Sequence, residues 1–384
     1  MIKKDNGLVV LNYLIASTIY FISTAIWGMT NNIRYAGLLF AICANFIILL
    51  IEHYKTSFND VIGKNFIFIL LLAVYLIVAS IIRVKVNQVV LSSRVWIQTA
   101  YLVIPALYAF TLVNLLNKKI IINLVKYTFL LTAILYIHEI GLGNFFSVSN
   151  WTAISFGQSD SAFESSDFSG VFTISLFYFY WDRFILLNKE NNKFWFWSSM
   201  IFTILSWKRL SVVFVILLWA LGKIIDIKRN INKMIPVITG ILFGFLTVVY
   251  TSFVKGWYNP LNLNIDEFTK GRNYILKMWA NYGYMSYGYG SSYELLHRYL
   301  EMDLVQMYLE VGCLAVVLFG LVYFNLTKNN LFAYVLMLYE FLNMLTASSL
   351  PAVFEWSLIL TLIALSTNND KKKIIGKNIS YDRT

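Results

Sequence analysis

The chain has 384 residues, of which 59% are hydrophobic and only 13% are charged. A soluble domain carries about 25% charged residues. If this chain folded as a soluble protein, too much of its apolar surface would be exposed to water. The formal net charge is +11, but the basic residues separate apolar runs and form no basic stripe, which excludes a nucleic-acid partner. The long uncharged runs are typical of membrane-spanning helices.

In chain order, the apolar runs predict an all-α, polytopic integral membrane bundle of about 12 transmembrane helices, which forms a single domain over residues 1–384. The predicted spans are 8–28, 35–52, 65–82, 95–117, 120–140, 168–187, 194–207, 210–226, 235–255, 302–324, 330–347 and 351–366. Alternation from an inside N-terminus places most Lys and Arg in the cytoplasm, so both termini are predicted to be cytoplasmic. Two larger outer loops follow, at about 141–167 and at about 256–301, the second lying between the ninth and tenth spans.

The seventh and eighth predicted spans are short. Two spans need about 40 residues, which the stretch 194–226 does not supply, so the turn at Lys208 and Arg209 is predicted to lie below the outer surface. A cation at that depth normally faces a polar cavity or a partner, although snorkelling to the interface is the alternative. Guanidinium groups bind phosphate oxygens in pairs. We therefore predict a pyrophosphate site formed by Lys208, Arg209, Arg272 and Arg298.

The loop 256–301 is rich in Tyr and Trp. These side chains combine a flat apolar face with a hydrogen-bonding edge, and sugar rings present matching surfaces. An interfacial aromatic belt is the alternative explanation. Residues 271–282 are predicted to form a short amphipathic helix, and the glycines of 283–290 a turn. The predicted glycan contacts are Trp279, Tyr287, Tyr289 and Tyr293.

A second short helix is predicted to begin at Ser291 or Ser292. On it His297 and Glu301 lie four residues apart and share a face. Histidine is a suitable general base near neutral pH, and Glu301 either orients it or is the base itself. Asp303 completes the predicted catalytic set of His297, Glu301 and Asp303. A solvated helix start with an ordinary ion pair is the alternative.

These motifs resemble a known family. Gly271-Arg272, Trp279, Gly288-Tyr289-Gly290, His297 and Leu300-Glu301-Met302-Asp303-Leu304 precede a membrane run. Their order is similar to the signature of Wzy-type polymerases of bacterial O-antigen and capsular polysaccharide, and of the related O-antigen ligases. In ligases an Asn often follows the His, whereas this chain has Arg298, so the likeness favours a polymerase.

The resemblance implies a glycosyltransferase at the outer face of the bacterial inner (cytoplasmic) membrane, facing the periplasm or cell exterior. A growing glycan on undecaprenyl pyrophosphate is transferred to the hydroxyl of a new lipid-linked repeat unit. The implied partners are these donor and acceptor lipids, membrane lipids, a chain-length regulator and a flippase. The resemblance implies no cofactor and no metal. Asp160, Glu164 and Asp167 are acids able to hold a divalent cation, but a polar loop is the favoured reading.

Three other functions stay open. An O-antigen ligase has the same chemistry with a lipid A acceptor. A flippase or other transporter for the lipid-linked oligosaccharide also needs cations for pyrophosphate, and the intramembrane acids Glu310, Glu340 and Glu355 are compatible with it. The third is a structural or assembly protein of the membrane, but such a protein has no need for cations outside the membrane.

Overall fold

The structure, a computed structural model, describes residues 7–28, 32–53, 60–152, 163, 168–186, 192–206, 209–224, 227, 229–260, 262–269, 271–298, 300–328 and 330–381. In these residues the fold is all-α and contains no β-strand; an isolated antiparallel bridge joins Asn230 and Asn330. The predicted fold class is thereby confirmed at the level of an all-α membrane bundle.

Within the described ranges, ten α-helices precede residue 225 and eight follow residue 233, and the two groups are divided by chain position only. The first group is α1 Gly7–Trp27, α2 Ile33–His53, α3 Val61–Asn87, α4 Arg94–Leu115, α5 Lys118–Ile140, α6 Leu142–Phe145, α7 Val148–Thr152, α8 Ser169–Tyr180, α9 Lys193–Leu205 and α10 Arg209–Ile224. The second group is α11 Met234–Val254, α12 Ile265–Thr269, α13 Arg272–Ala280, α14 Ser292–Leu296, α15 Asp303–Glu310, α16 Cys313–Asn325, α17 Leu331–Thr346 and α18 Val353–Tyr381. A π-helical turn, Trp181–Ile185, extends α8.

Among the described residues, six helices are long and apolar enough to cross a membrane. They are α1, α2, α3, α4, α5 and α11, and shorter apolar helices lie within α10, α16, α17 and α18. Each predicted span overlaps one α-helix apart from the tenth, which overlaps two, but the number of about 12 spans and their orientation stay predictions. The predicted tenth span is wrong as one continuous helix, because α15 and α16 are separated at Gly312, whose φ is 123°.

The chain forms two compact units, the first of which comprises residues 1–57, 107–229 and 357–365. In this unit α1 packs against α2 and α5, and α8 packs against α5 and α9. The Phe129 ring contacts the rings of Phe172 and Phe202 edge-on. Buried hydroxyls are paired across helices, as where Tyr13 Oη lies 2.8 Å from Thr128 Oγ1. Such pairing satisfies polar groups in an apolar interior.

The second unit comprises residues 58–106, 230–356 and 366–384. Its closest helix pair is α11 with α16, which touch backbone to backbone at two glycines. A Cβ added to Gly240 would lie 2.7 Å from the carbonyl carbon of Gly320, and one added to Gly320 would lie 2.5 Å from Gly240 O. Small residues at a crossing allow this approach, which membrane helices use to gain packing contacts.

Candidate functional site

The segment between α11 and α15, residues 255–302, carries most of the predicted site; we call it the late segment. It belongs to the second unit and contains the short helices α12, α13 and α14. Helix α13 buries Ile275, Leu276 and Trp279, and the Trp279 indole donates from Nε1 to Met285 O at 3.1 Å. The predicted amphipathic helix is therefore present, although it ends before Tyr282, which is exposed.

Glu301 lies between two arginine side chains. Its Oε2 is 3.8 Å from Arg272 Nε, and its Oε1 accepts a hydrogen bond from Arg298 Nη2 at 3.3 Å. The exposed fractions of the side chains are 22% for Arg272, 44% for Glu301 and 47% for Arg298. Arg272 Nη1 also donates to Thr269 O at 3.2 Å, which fixes the guanidinium over the N-terminus of α13. We call Arg272, Arg298 and Glu301 the arginine–glutamate cluster.

The predicted helix that joins His297 to Glu301 is wrong. Helix α14 ends at Leu296, and His297 caps it with a left-handed φ of 52°. Glu301 has a left-handed φ of 60°, so the shared helical face does not form. Both side chains are exposed on an irregular turn. Their roles as base or orienting group stay predictions, and only Glu301 is placed among the cations.

Asp303, by contrast, is buried and bonded to the turn after α17. Its Oδ2 accepts hydrogen bonds from the backbone N–H groups of Ser349 at 2.6 Å and Leu350 at 2.8 Å. Its Oδ1 accepts a bond from Ser348 Oγ at 3.2 Å. Ser349 Oγ also donates to Glu340 Oε2 at 3.1 Å. A catalytic role for Asp303 stays a prediction, but the contacts are those of a residue that fixes the 348–350 turn.

The glycine-rich turn packs against α3 and α4. Gly288 and Gly290 have φ values of 105° and 90°, and a Cβ on either would lie within 2.7 Å of a side-chain atom of Val95 or Gln98. The amide of Tyr289 donates to Ser80 Oγ at 3.0 Å. Glycine is required at both positions, because a side chain would be strained and would collide.

Glu310 holds the same turn from α15. Its carboxylate is fully buried and accepts hydrogen bonds from Gly290 N at 2.5 Å and Ser292 N at 2.7 Å. The sequence marks Glu310 only as an intramembrane acid. No sequence signal indicates this contact, because Gly290 and Glu310 are 20 residues apart and lie in different structural elements.

The four predicted glycan contacts have different environments. Trp279 and Tyr289 are fully buried, and burial raises the pKa of the Tyr289 phenol well above its usual range. Tyr287 and Tyr293 are half-buried, and the Arg94 guanidinium lies 3.8 Å from the centre of the Tyr293 ring. Glycan binding by these four stays a prediction. Among the described residues of the late segment, the aromatic side chains with the greatest exposure are those of Trp257, Tyr258, Phe268, Tyr274 and Tyr282.

The remaining predicted pyrophosphate contacts are Lys208 and Arg209. Arg209 is the first residue of α10 and belongs to the first unit, whereas Arg272 and Arg298 belong to the second. Lys208 lies outside the described residues, as do Asp160, Glu164 and Asp167. A pyrophosphate site that includes Lys208 and Arg209 therefore stays a prediction, as do the bounds of the outer loops and the single-domain assignment.

No protein-family model, curated protein or solved structure matches this chain. The resemblance to Wzy-type polymerases thus rests on the sequence motifs between Gly271 and Leu304, on the turn that carries Arg209 and on the predicted membrane helices.

Proposed function

We propose that the chain is a polysaccharide polymerase of the bacterial inner membrane, which joins undecaprenyl-pyrophosphate-linked repeat units at the outer face of that membrane. The observation that carries this proposal is the arginine–glutamate cluster, in which two guanidinium groups lie within 4.0 Å of one exposed carboxylate. Two arginines suit a polyanionic leaving group, and the carboxylate suits an acceptor hydroxyl.

The chemistry is a displacement at the anomeric carbon of the donor sugar. The acceptor hydroxyl oxygen forms the new C–O bond, and the bond from that carbon to the pyrophosphate oxygen breaks. The leaving pyrophosphate takes the electron pair, and Arg272 and Arg298 stabilise the charge that develops on it. The hydroxyl proton passes to Glu301, or to His297 on the same irregular turn.

The ion pairs of Glu301 give this scheme an order of events. Pyrophosphate carries more charge than a carboxylate and binds guanidinium in bidentate fashion. An arriving donor therefore displaces Glu301 from Arg272 and Arg298. The displaced carboxylate is then available to accept the hydrogen bond of the acceptor hydroxyl.

The decisive experiment compares surface glycan from cells that carry the repeat-unit pathway and single-site variants of this chain. Glu301→Gln and Arg272→Ala are expected to abolish polymer and to leave a single repeat unit on the surface lipid. Glu267→Gln is the matched control, because Glu267 is an exposed acid of the same segment. Polymer at the wild-type level in both cluster variants contradicts the proposal.

The same comparison of surface glycan distinguishes the polymerase from the two alternative functions. A ligase variant loses all glycan from the lipid A acceptor, including single repeats. A flippase variant accumulates lipid-linked repeat units only on the cytoplasmic side of the membrane. The transporter alternative is compatible with the buried carboxylate of Glu340, which accepts from Ser349 Oγ within the helical core.

A further inference from the structure

The turn between α3 and α4 packs against the late segment through residues that are not part of the arginine–glutamate cluster. The amide of Ser92 donates to Tyr287 O at 2.9 Å, and Ser92 Oγ donates to Glu294 Oε1 at 2.6 Å. At the end of α3, Asn87 Nδ2 donates to Ser286 O at 3.4 Å. The start of α4 and the late segment therefore lie on one side of the membrane, and both belong to the second unit.

Arg94, the first residue of α4, places its guanidinium on the ring of Tyr293, a residue of α14. The guanidinium carbon Cζ lies 3.8 Å from the centre of that ring. An N–H group directed at the ring would hold Cζ farther away, so the two groups stack. Stacking on an aromatic face holds the cation in place. It leaves the N–H groups, which point outwards in the guanidinium plane, for other partners.

The guanidinium N–H groups of Arg94 have no partner among the described residues. No carboxylate oxygen lies within 4.0 Å of them, and the side chain donates no hydrogen bond there. Glu294, the acid of α14, is bonded to Ser92 instead. Arg94 is half-buried, and none of its nitrogens is both buried and unpaired. The unpaired N–H groups therefore reach the surface, where an anion has access to them.

The proposed reaction brings two lipid-linked pyrophosphates to the protein. One belongs to the donor and leaves, whereas the other belongs to the acceptor and stays attached to its repeat unit. Arg272 and Arg298 are assigned to the leaving group. The repeat unit separates the acceptor's pyrophosphate from the hydroxyl that reacts, so a second guanidinium site is expected beside the cluster and not within it.

Arg94 meets this requirement by its place along α14. Tyr293, on which it stacks, accepts at its carbonyl oxygen from the amide of His297 at 2.8 Å, one helical turn further along the chain. The four residues from His297 to Glu301 extend over at most about 14 Å. The Arg94 site and the cluster are thus neighbours, and each has its own arginine donors.

We propose that Arg94, stacked on Tyr293, binds the pyrophosphate of the acceptor lipid. This inference rests on the proposed function, because transfer between two lipid-linked substrates is what requires a second pyrophosphate site. A guanidinium pairs its N–H groups with two phosphate oxygens at once. Stacking on the ring also reduces the side-chain freedom that is lost on binding. A bilayer phospholipid presents the same phosphate oxygens, so it is tested as a separate probe.

The test counts the lipids that the purified full-length protein binds in detergent, by native mass spectrometry. The probe is undecaprenyl pyrophosphate, and phosphatidylglycerol is measured in parallel. The wild type is expected to bind two molecules of undecaprenyl pyrophosphate. Arg94→Ala and Arg272→Ala are each expected to bind one at the same lipid concentration, because loss of a charge-assisted pair weakens the affected site by about tenfold or more.

Lys85→Gln is the matched control, because Lys85 is an exposed cation in the last turn of α3. Among the described residues it makes no hydrogen bond or ion pair with the late segment, so two bound lipids are expected. Arg94→Lys keeps the charge but loses the planar fork, and an intermediate affinity is expected. The melting temperature of each variant establishes that it is folded. If Arg94→Ala does not fold, the affinity of Arg94→Lys decides.

Polymer formation by the purified protein assigns the site to the acceptor. Arg94→Ala is expected to raise the acceptor concentration for half-maximal rate about tenfold and to leave that for the donor unchanged. A change for the donor alone overturns the inference. Two bound molecules of undecaprenyl pyrophosphate in folded Arg94→Ala also overturn it, as does an equal loss of phosphatidylglycerol, which assigns Arg94 to bilayer phosphates.

The lipid count keeps the two proposals apart. Two bound molecules in Arg94→Ala together with one in Arg272→Ala leave the polymerase proposal standing and reject Arg94 as a pyrophosphate site. One bound molecule in the wild type, lost in Arg94→Ala and kept in Arg272→Ala, gives the opposite result, because it rejects the arginine–glutamate cluster as the donor site.

Discussion

Arg272 Nε lies 3.8 Å from Glu301 Oε2, although the two residues are separated by the whole of α13 and α14. The gap is wider than a hydrogen bond, so the two groups attract each other without a direct N–H···O contact. A partly exposed pair of this kind contributes little to stability, about 0–1 kcal/mol. The pair is therefore expected to matter for substrate binding and catalysis and to contribute little to the free energy of unfolding.

Glu301→Gln removes the charge and keeps the shape of the side chain. A positioned general base contributes about 10²–10⁴-fold to a rate, so polymer formation is expected to fall by about that factor while the melting temperature changes little. The measurement is polymer formed by purified protein from lipid-linked repeat units. His297→Ala in the same assay assigns the base, because the residue that carries the proton shows the larger loss.

Arg272 is predicted to recognise the donor through its guanidinium geometry. Arg272→Lys keeps the charge but loses the planar fork that pairs with phosphate oxygens. We therefore expect an intermediate phenotype, in which the donor concentration for half-maximal rate rises and the maximal rate falls less than in Arg272→Ala. Identical kinetics for the lysine and alanine variants would show that charge at this position is irrelevant.

Asp303 is predicted to act on stability. Asp303→Ala leaves the buried N–H groups of Ser349 and Leu350 without an acceptor, so the free energy of unfolding is expected to fall by about 1–3 kcal/mol per unsatisfied group. Thermal unfolding in detergent measures this change, with Glu267→Ala as the exposed control. A variant of wild-type stability that makes no polymer would instead assign Asp303 to catalysis.

The Gly240–Gly320 crossing is predicted to tolerate no side chain. In Gly240→Ala the new methyl group meets the backbone of Gly320, and overpacking of this kind costs about 1–3 kcal/mol. Gly143→Ala is the control, because a Cβ there meets nothing within 4 Å. A lower melting temperature is expected for the first variant only, and equal melting temperatures would rule out tight packing of α11 on α16.

Hydropathy was sufficient to predict the helices, because most apolar runs are about as long as a membrane span and contain few charged residues. The runs 8–28 and 235–255 coincide closely with α1 Gly7–Trp27 and α11 Met234–Val254. The tenth run could not be divided correctly, since Gly312 lies in an apolar stretch and its left-handed φ is a property of the folded backbone.

The candidate site was predictable in composition but not in geometry. Sequence spacing placed Arg272, Arg298 and Glu301 in one segment, and the structure brings their charges together. The same spacing indicated a helix through His297, because sequence alone does not reveal that the chain turns there. Aromatic content likewise does not distinguish Trp279, which fills a core, from Trp257, which faces outwards.

The contact of Glu310 with the backbone of Gly290 and Ser292 has a consequence for how relatives of this chain can diverge. An insertion within 286–293 would pull these amides from a fully buried carboxylate, and a buried polar group left without its partner costs about 1–3 kcal/mol. Trp257 and Tyr258, which are exposed beyond the end of α11, contact no buried carboxylate among the described residues. Length variation is therefore expected near Trp257, while the glycine-rich turn keeps a fixed length.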